Sequence, residues 1–198
     1  MYLFFDTETT GLPVKGQYSN PRHPSTPKLV ELAAALYNEA GEEIDSIVRI
    51  IKPYGFTIPA GASNVHGITT ERAEAEGMEL KTVFSGFLDL VERSKFLVAH
   101  NASYDKLILD RVLIDLDFIG EFNMERPIIC TKELTTPVCK LPSSWGKFKW
   151  PNLQEAHLHF FNEEFASAHS ALADVQACAR IFFEGLRQGC WNNLGKLL

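Results

Sequence analysis

The segment FFDTETTGL, residues 4–12, runs from an apolar stretch straight into two acids, Asp6 and Glu8. On a strand, side chains two apart leave the same face, so these carboxylates project together, roughly 6–7 Å apart along the chain. Burying an ionised carboxylate without a partner costs several kcal/mol or more. Such a pair therefore either sits at an exposed strand end feeding the turn Thr9-Thr10-Gly11 or binds divalent metal. Asp174 follows Ala171 by three residues and precedes Cys178 and Ile181 by four and seven, spacings that share one helical face. It lies on or beside an apolar stripe, where an acid is expected to be paired or to ligate a metal. Asp105 falls in the first turn of a helix that Asn101 or Ser103 can cap, a place the helix macrodipole alone would favour for an acid. His169 precedes Asp174 by five residues, about 140° round an ideal helix, so it could face the same site only from the loop before the helix. Taken alone, it reads equally as a hydrogen-bonded structural histidine. Hard oxygen donors with few nitrogen or sulfur partners suit Mg²⁺ or Mn²⁺ rather than zinc.

These residues need a scaffold, and the apolar pattern supplies one. Residues 1–5 read as a short buried strand. Residues 13–28, with four prolines, read as a loop. Residues 29–37 and 43–51 form a β-hairpin across Asn38–Glu42. Residues 53–67 read as irregular, and a short helix capped by Thr69 ends by Gly77. From Leu80, the residues Val83, Phe84, Phe87, Leu88 and Val91 recur at helical spacing. Further elements are a strand at 96–99, a helix at 105–116, a strand at 128–131, a loop-like stretch at 135–150 and helices at 152–161 and 170–187. Strands first, then alternating helices and strands, imply an α/β fold with one five-stranded mixed sheet flanked by helices, a single domain over residues 1–198.

The charge balance of the 198-residue chain is −6, which argues against bulk electrostatic adhesion to nucleic acid. It leaves room for an enzyme that holds a few nucleotides through metals and local contacts. The four cysteines show no CxxC spacing, as expected of reduced thiols in a cytoplasmic protein. The start, MYLFF, is too short an apolar run for a signal peptide or membrane span.

Taken together, DTETTGL, HNASYD and HSALAD resemble, in order and separation, the three motifs of the DEDDh 3′–5′ exonucleases. These form the DnaQ-like group that includes the proofreading epsilon subunit of the bacterial replicative polymerase. IPAGASNVHGIT, residues 58–69, is similar to a further segment of that group, and the resemblance covers residues 1 to about 185. It implies an RNase H-like fold and hydrolysis of phosphodiester bonds from a free 3′ end, releasing nucleoside 5′-monophosphates. It also implies two divalent ions, Mg²⁺ or Mn²⁺, held by Asp6, Glu8, Asp105 and Asp174, with His169 as general base. Thr9 and Leu12 would meet the terminal nucleotide, and His66 and Asn101 match positions near the substrate. Tyr104 stands where a phenylalanine is more usual, a small change expected to keep the packing. The tyrosine of the sister DEDDy class sits four before the final aspartate, where this chain has Ser170.

Single-stranded DNA is the favoured substrate, with RNA ends as the alternative. A non-catalytic nucleic-acid-binding module is the reading from another class, and it fits poorly because all five catalytic positions are intact. About 13 residues follow Gly185, leaving little room for a polymerase-binding tail. A polymerase partner is thus possible but not required, and the oligomeric state stays open. The segment KLPSSWGKFKWPN, residues 140–152, mixes lysines with Trp145, Phe148 and Trp150. It suits single-strand binding by phosphate contact and stacking, or equally a solvated loop whose aromatics fold back on the core. His157 and His159 in EAHLHF diverge by about 200° on a helix, against a shared metal.

Overall fold

The computed structural model describes residues 1–118, 126–144, 146–166 and 170–191. Its five strands are β1 (Tyr2–Thr9), β2 (Leu29–Tyr37), β3 (Glu43–Ile50), β4 (Phe96–Ala99) and β5 (Ile128–Cys130). They lie in the order β3-β2-β1-β4-β5. β1 and β3 run antiparallel to β2, whereas β4 runs parallel to both β1 and β5. The helices are α1 (Ala60–His66), α2 (Thr70–Glu76), α3 (Leu80–Arg93), α4 (Ala102–Asp115), α5 (Thr131–Cys139), α6 (Leu153–Phe161) and α7 (Ala171–Arg187).

Alternation along β1 sends side chains into two cores, one on each face of the sheet. Leu3 and Phe5 join the core beneath α3 and α4, with Phe84, Phe87 and Ile108. Tyr2 and Phe4 join the core beneath α7, with Val175, Cys178 and Phe182. Each fully buried Leu or Phe contributes about 1.5–3 kcal/mol, so the central strand is held firmly from both sides. The alanine run Ala33-Ala34-Ala35 of β2 is wholly buried, and small side chains there let both helical layers approach the sheet.

Several element boundaries differ from the sequence expectation. β1 continues through the acids to Thr9 rather than stopping at residue 5, because its pairing with β2 persists at Asp6↔Ala33 and Glu8↔Glu31. Residues 60–66, expected to be irregular, form α1, which carries no side-chain cap and ends at Gly67 with φ 73°. The stretch from Thr135, expected as loop, belongs to α5 despite Pro137. The Thr135 and Thr136 hydroxyls donate back to the Thr131 and Lys132 carbonyls at 2.8 and 2.7 Å. α4 begins at Ala102, and Asn101 before it is left-handed with φ 78° and makes no side-chain cap. The Pro-rich loop is closed at its base by mutual bonds between Thr10 and Lys28 at 3.0 Å. Its middle is tied to α4 through Arg111, which donates to the His23 carbonyl. Among the described residues, no helix is long and apolar enough to cross a membrane.

Candidate active site

Asp6 and Glu8 share the face of β1 that carries Tyr2 and Phe4, and so they point toward α7. One turn into α7, Asp174 stands above the buried Ala171, Val175 and Cys178 that dock the helix. One oxygen from each of Asp6, Glu8 and Asp174 lies within 4.8 Å of the others. Asp105 reaches the same edge from the opposite layer and is 3% exposed. Its Oδ1 accepts from the Thr7 backbone N–H at 3.1 Å and from the Thr7 hydroxyl at 2.8 Å. The intervening residue of the DTE motif thus grips the acid supplied by α4.

Crowding these groups together has a direct electrostatic cost. Burial, then the charges of Asp105, Asp174 and Glu8, hold the Asp6 carboxyl well above the usual carboxylate range. Burial and then Asp174 raise Glu8 to about 8. Burial raises Asp105 to about 7, against the opposing pull of the Thr7 hydrogen bonds. Glu31, paired across from Glu8, adds a fifth acid at this edge. It is raised by burial, while a hydrogen bond from the Ala171 backbone N–H and the charge of Arg72 oppose the rise. The convergent oxygens and their crowded like charges fit divalent cations, and the donor set favours hard ions.

Beside the acids lies a cavity of about 400 Å³. Glu8, Thr9, Leu12 and His66 line it together with Tyr104, so three of the four residues expected to meet substrate converge on one space. Leu12 is 80% exposed at its rim. The turn that presents Leu12 requires glycine at position 11, where φ is 138°. The Gly11 carbonyl accepts from the hydroxyls of Tyr104 at 2.7 Å and Thr9 at 2.9 Å. Burial pushes the Tyr104 hydroxyl up to about 12, so it stays protonated and donates. His66 Nδ1 accepts from the Ile68 N–H, which leaves Nε2–H to donate to the Thr9 carbonyl at 3.3 Å. Burial lowers the affinity of His66 for a second proton.

Asn101, the fourth expected substrate residue, lies elsewhere and accepts from Lys132 Nζ at 2.5 Å. His169 and Trp145 lie outside the described residues. His157 is fully buried while His159 lies on the more open side of α6, so the two histidines diverge as their spacing predicts. Sequence reading overlooked Thr7 and Glu31 and gave Tyr104 a packing role only. Their roles come from cross-strand register and from a helix seventy or more residues away, which local patterns do not carry.

The model of the RNase_T family, described as exonuclease, matches residues 3–182. The chain belongs to this family of DnaQ-like 3′–5′ exonucleases. Solved structures support the RNase H-like fold of this exonuclease. E. coli exonuclease I in complex with a dT13 oligonucleotide superposes with a TM-score of 0.73 at 19% identity, over 95% of this chain and 41% of that one. The zinc-bound form of the E. coli enzyme in a single-stranded DNA complex gives 0.73 at 20% identity, covering 98% and 42%. A moderately thermophilic exonuclease I from Methylocaldum szegediense gives 0.74 at 16%, covering 98% and 42%. This exonuclease chain spans less than half the length of each of these. No curated protein sequence matches it.

Proposed function

We propose that this protein removes nucleotides one at a time from the 3′ end of single-stranded DNA, releasing nucleoside 5′-monophosphates. The observation that carries the reading is the convergence of the Asp6, Glu8 and Asp174 carboxylates within 4.8 Å, beside a cavity rimmed by an exposed leucine. The DNA complexes of exonuclease I, an enzyme of the same fold, support the choice of substrate. The one sheet that holds all five strands supports reading residues 1–198 as one exonuclease domain. The free thiols, with no disulfide among the described residues, fit a reducing cytoplasm.

In this reading Asp6, Glu8, Asp105 and Asp174 would hold two Mg²⁺ or Mn²⁺ ions. Bound there, such ions stabilise the attacking and leaving oxygens of an in-line displacement at phosphorus and acidify a water. The chain's own groups do the rest. Leu12 wedges against the terminal base through an apolar contact indifferent to base identity. Thr9 offers its backbone to the terminal nucleotide while His66 fixes its carbonyl. His169 accepts the proton of the attacking water, the general-base role that the histidine motif implies.

The test is incubation of the protein with a 5′-labelled single strand and Mg²⁺ or Mn²⁺. A ladder shortening from the 3′ end is expected on DNA. No ladder on DNA or RNA would sink the exonuclease reading, and a ladder on RNA alone would reassign the substrate. Tyr104→Phe removes one of the two hydroxyl donors to the Gly11 carbonyl and loosens the turn that presents Leu12. A single hydrogen bond of this kind is worth about 0.5–1.5 kcal/mol, so KM should rise roughly threefold to tenfold with kcat little changed. Steady-state kinetics on a labelled DNA strand checks this, and an unchanged KM would remove the turn-fixing role of Tyr104.

A further inference from the structure

The upstream strand must leave the acid cluster on the side away from the terminal-nucleotide cavity. That cavity is walled by His66 and Ala62 of α1 and by Tyr104 in the first turn of α4. Farther across the sheet stand the residues that leave β4 just before α4 and the start of α5 after β5. Phe4 pairs with Val98, and Ala99 with Cys130, so His100, Asn101, Thr131 and Lys132 stand level with Asp6 at the carboxyl ends of the parallel strands. Strands are about 4.8 Å apart, which puts the start of α5 roughly 10 Å across the sheet from Asp6.

An exposed aromatic is mounted on this side. Trp150 is 63% exposed and Phe148 50% exposed, so neither folds back on the core. The backbone that carries Trp150 is pinned at both flanks. The Lys149 N–H donates to the Leu141 carbonyl at 2.9 Å. His100, which burial keeps neutral, donates from Nε2 to the Pro151 carbonyl at 3.1 Å while its Nδ1 meets the Thr131 hydroxyl at 3.0 Å. Asn152 and Glu155 then close a capping box on α6. Lys132 Nζ sits 4.2 Å from the centroid of the Trp150 ring and also holds Asn101. Between residues 132 and 150 there are four lysines and one acid, Glu133, on a chain whose net charge is −6. A rigidly mounted tryptophan with a cation against its ring, on a lysine-rich segment, matches the chemistry of a base and its phosphate.

We propose that Trp150 is a stacking platform for a base of the single strand upstream of the scissile phosphate, with Lys132 beside it to meet the backbone phosphate and to set Asn101. The proposal rests on the exonuclease reading for the direction of the strand, and its occupant is single-stranded nucleic acid rather than a protein partner. Base stacking of this kind tolerates any sequence, which matches the apolar wedge at Leu12.

Two measurements separate this proposal from that reading. In EDTA, anisotropy of a labelled oligothymidylate of about 12 nucleotides reads binding without turnover. Trp150→Ala should weaken binding roughly tenfold or more, and Trp150→Phe should restore most of the affinity. With Mg²⁺ or Mn²⁺, Trp150→Ala should raise KM for the same strand with kcat little changed. It should leave hydrolysis of the p-nitrophenyl ester of thymidine 5′-monophosphate, which has no upstream nucleotide, at the wild-type rate. Wild-type affinity and KM in Trp150→Ala would overturn the platform, whether the surface then proved idle or bound a protein. If the wild type cleaved neither substrate, the exonuclease reading would fall, while the EDTA experiment would still decide whether Trp150 binds a single strand.

Discussion

Asp6→Asn should abolish exonuclease activity while making the metal-free protein more stable. Asp6 lies at the centre of the acid cluster, half-buried and facing Asp105, Asp174 and Glu8 at once. An amide keeps its shape and removes its charge. Stabilisation of the transition state by metal-held charge is worth several kcal/mol, so loss of one central ligand should cost roughly a thousandfold or more in kcat/KM. The same change relieves repulsion on three neighbours. With chelator present near pH 8, melting should shift up by roughly 3–8 °C. Retained activity, or a melting temperature that falls, would show that Asp6 is neither a metal ligand nor a source of repulsion.

The second large effect is a pH profile that divalent ions reverse. Glu8 moves from an ordinary value of 4.5 to about 8, and Asp105 from 3.8 to about 7. These carboxyls hold protons more tightly folded than unfolded, so the native state binds more protons across that window. Stability must then fall as pH rises from about 4 to about 8, because each deprotonation adds an uncompensated buried charge. With chelator, the melting temperature at pH 9 should lie below that at pH 5 by roughly 5–10 °C, a few kcal/mol in a chain of this length. Millimolar Mg²⁺ or Mn²⁺ at pH 8 should recover most of the loss, since binding to the native state alone stabilises it. A profile that stays flat or rises with pH, or a melt blind to the ions, would remove the electrostatic account of this site.

Much of this site could be read from residue order. Asp6 and Glu8 announce themselves because a strand that enters a core has no other use for two acids, and Asp174 because it interrupts an apolar stripe. Periodicity located α3 and α7, and the Pro-rich stretch marked its own loop. Pro137 hid α5, since proline within a helix removes a backbone donor. Glu31 looked like one polar residue in a buried strand. Its position opposite Glu8 and its contact with the first residue of α7 depend on the β1–β2 register, which no local pattern contains. Tyr104 resembles a packing residue until the turn at Gly11 folds back over it.

Thr7 points the other way from its neighbours. Asp6 and Glu8 face the layer of α7, whereas Thr7 faces the layer of α4 and holds Asp105 from there. The acid set is therefore assembled through the sheet, with Asp6, Glu8 and Asp174 on the side of α7 and Asp105 on the side of α4. A chain with only one helical layer docked has an incomplete set. Hydrolytic competence thus requires both helical layers to be docked. For a nuclease that coupling is a safeguard, since a copy with one layer undocked lacks the full acid set.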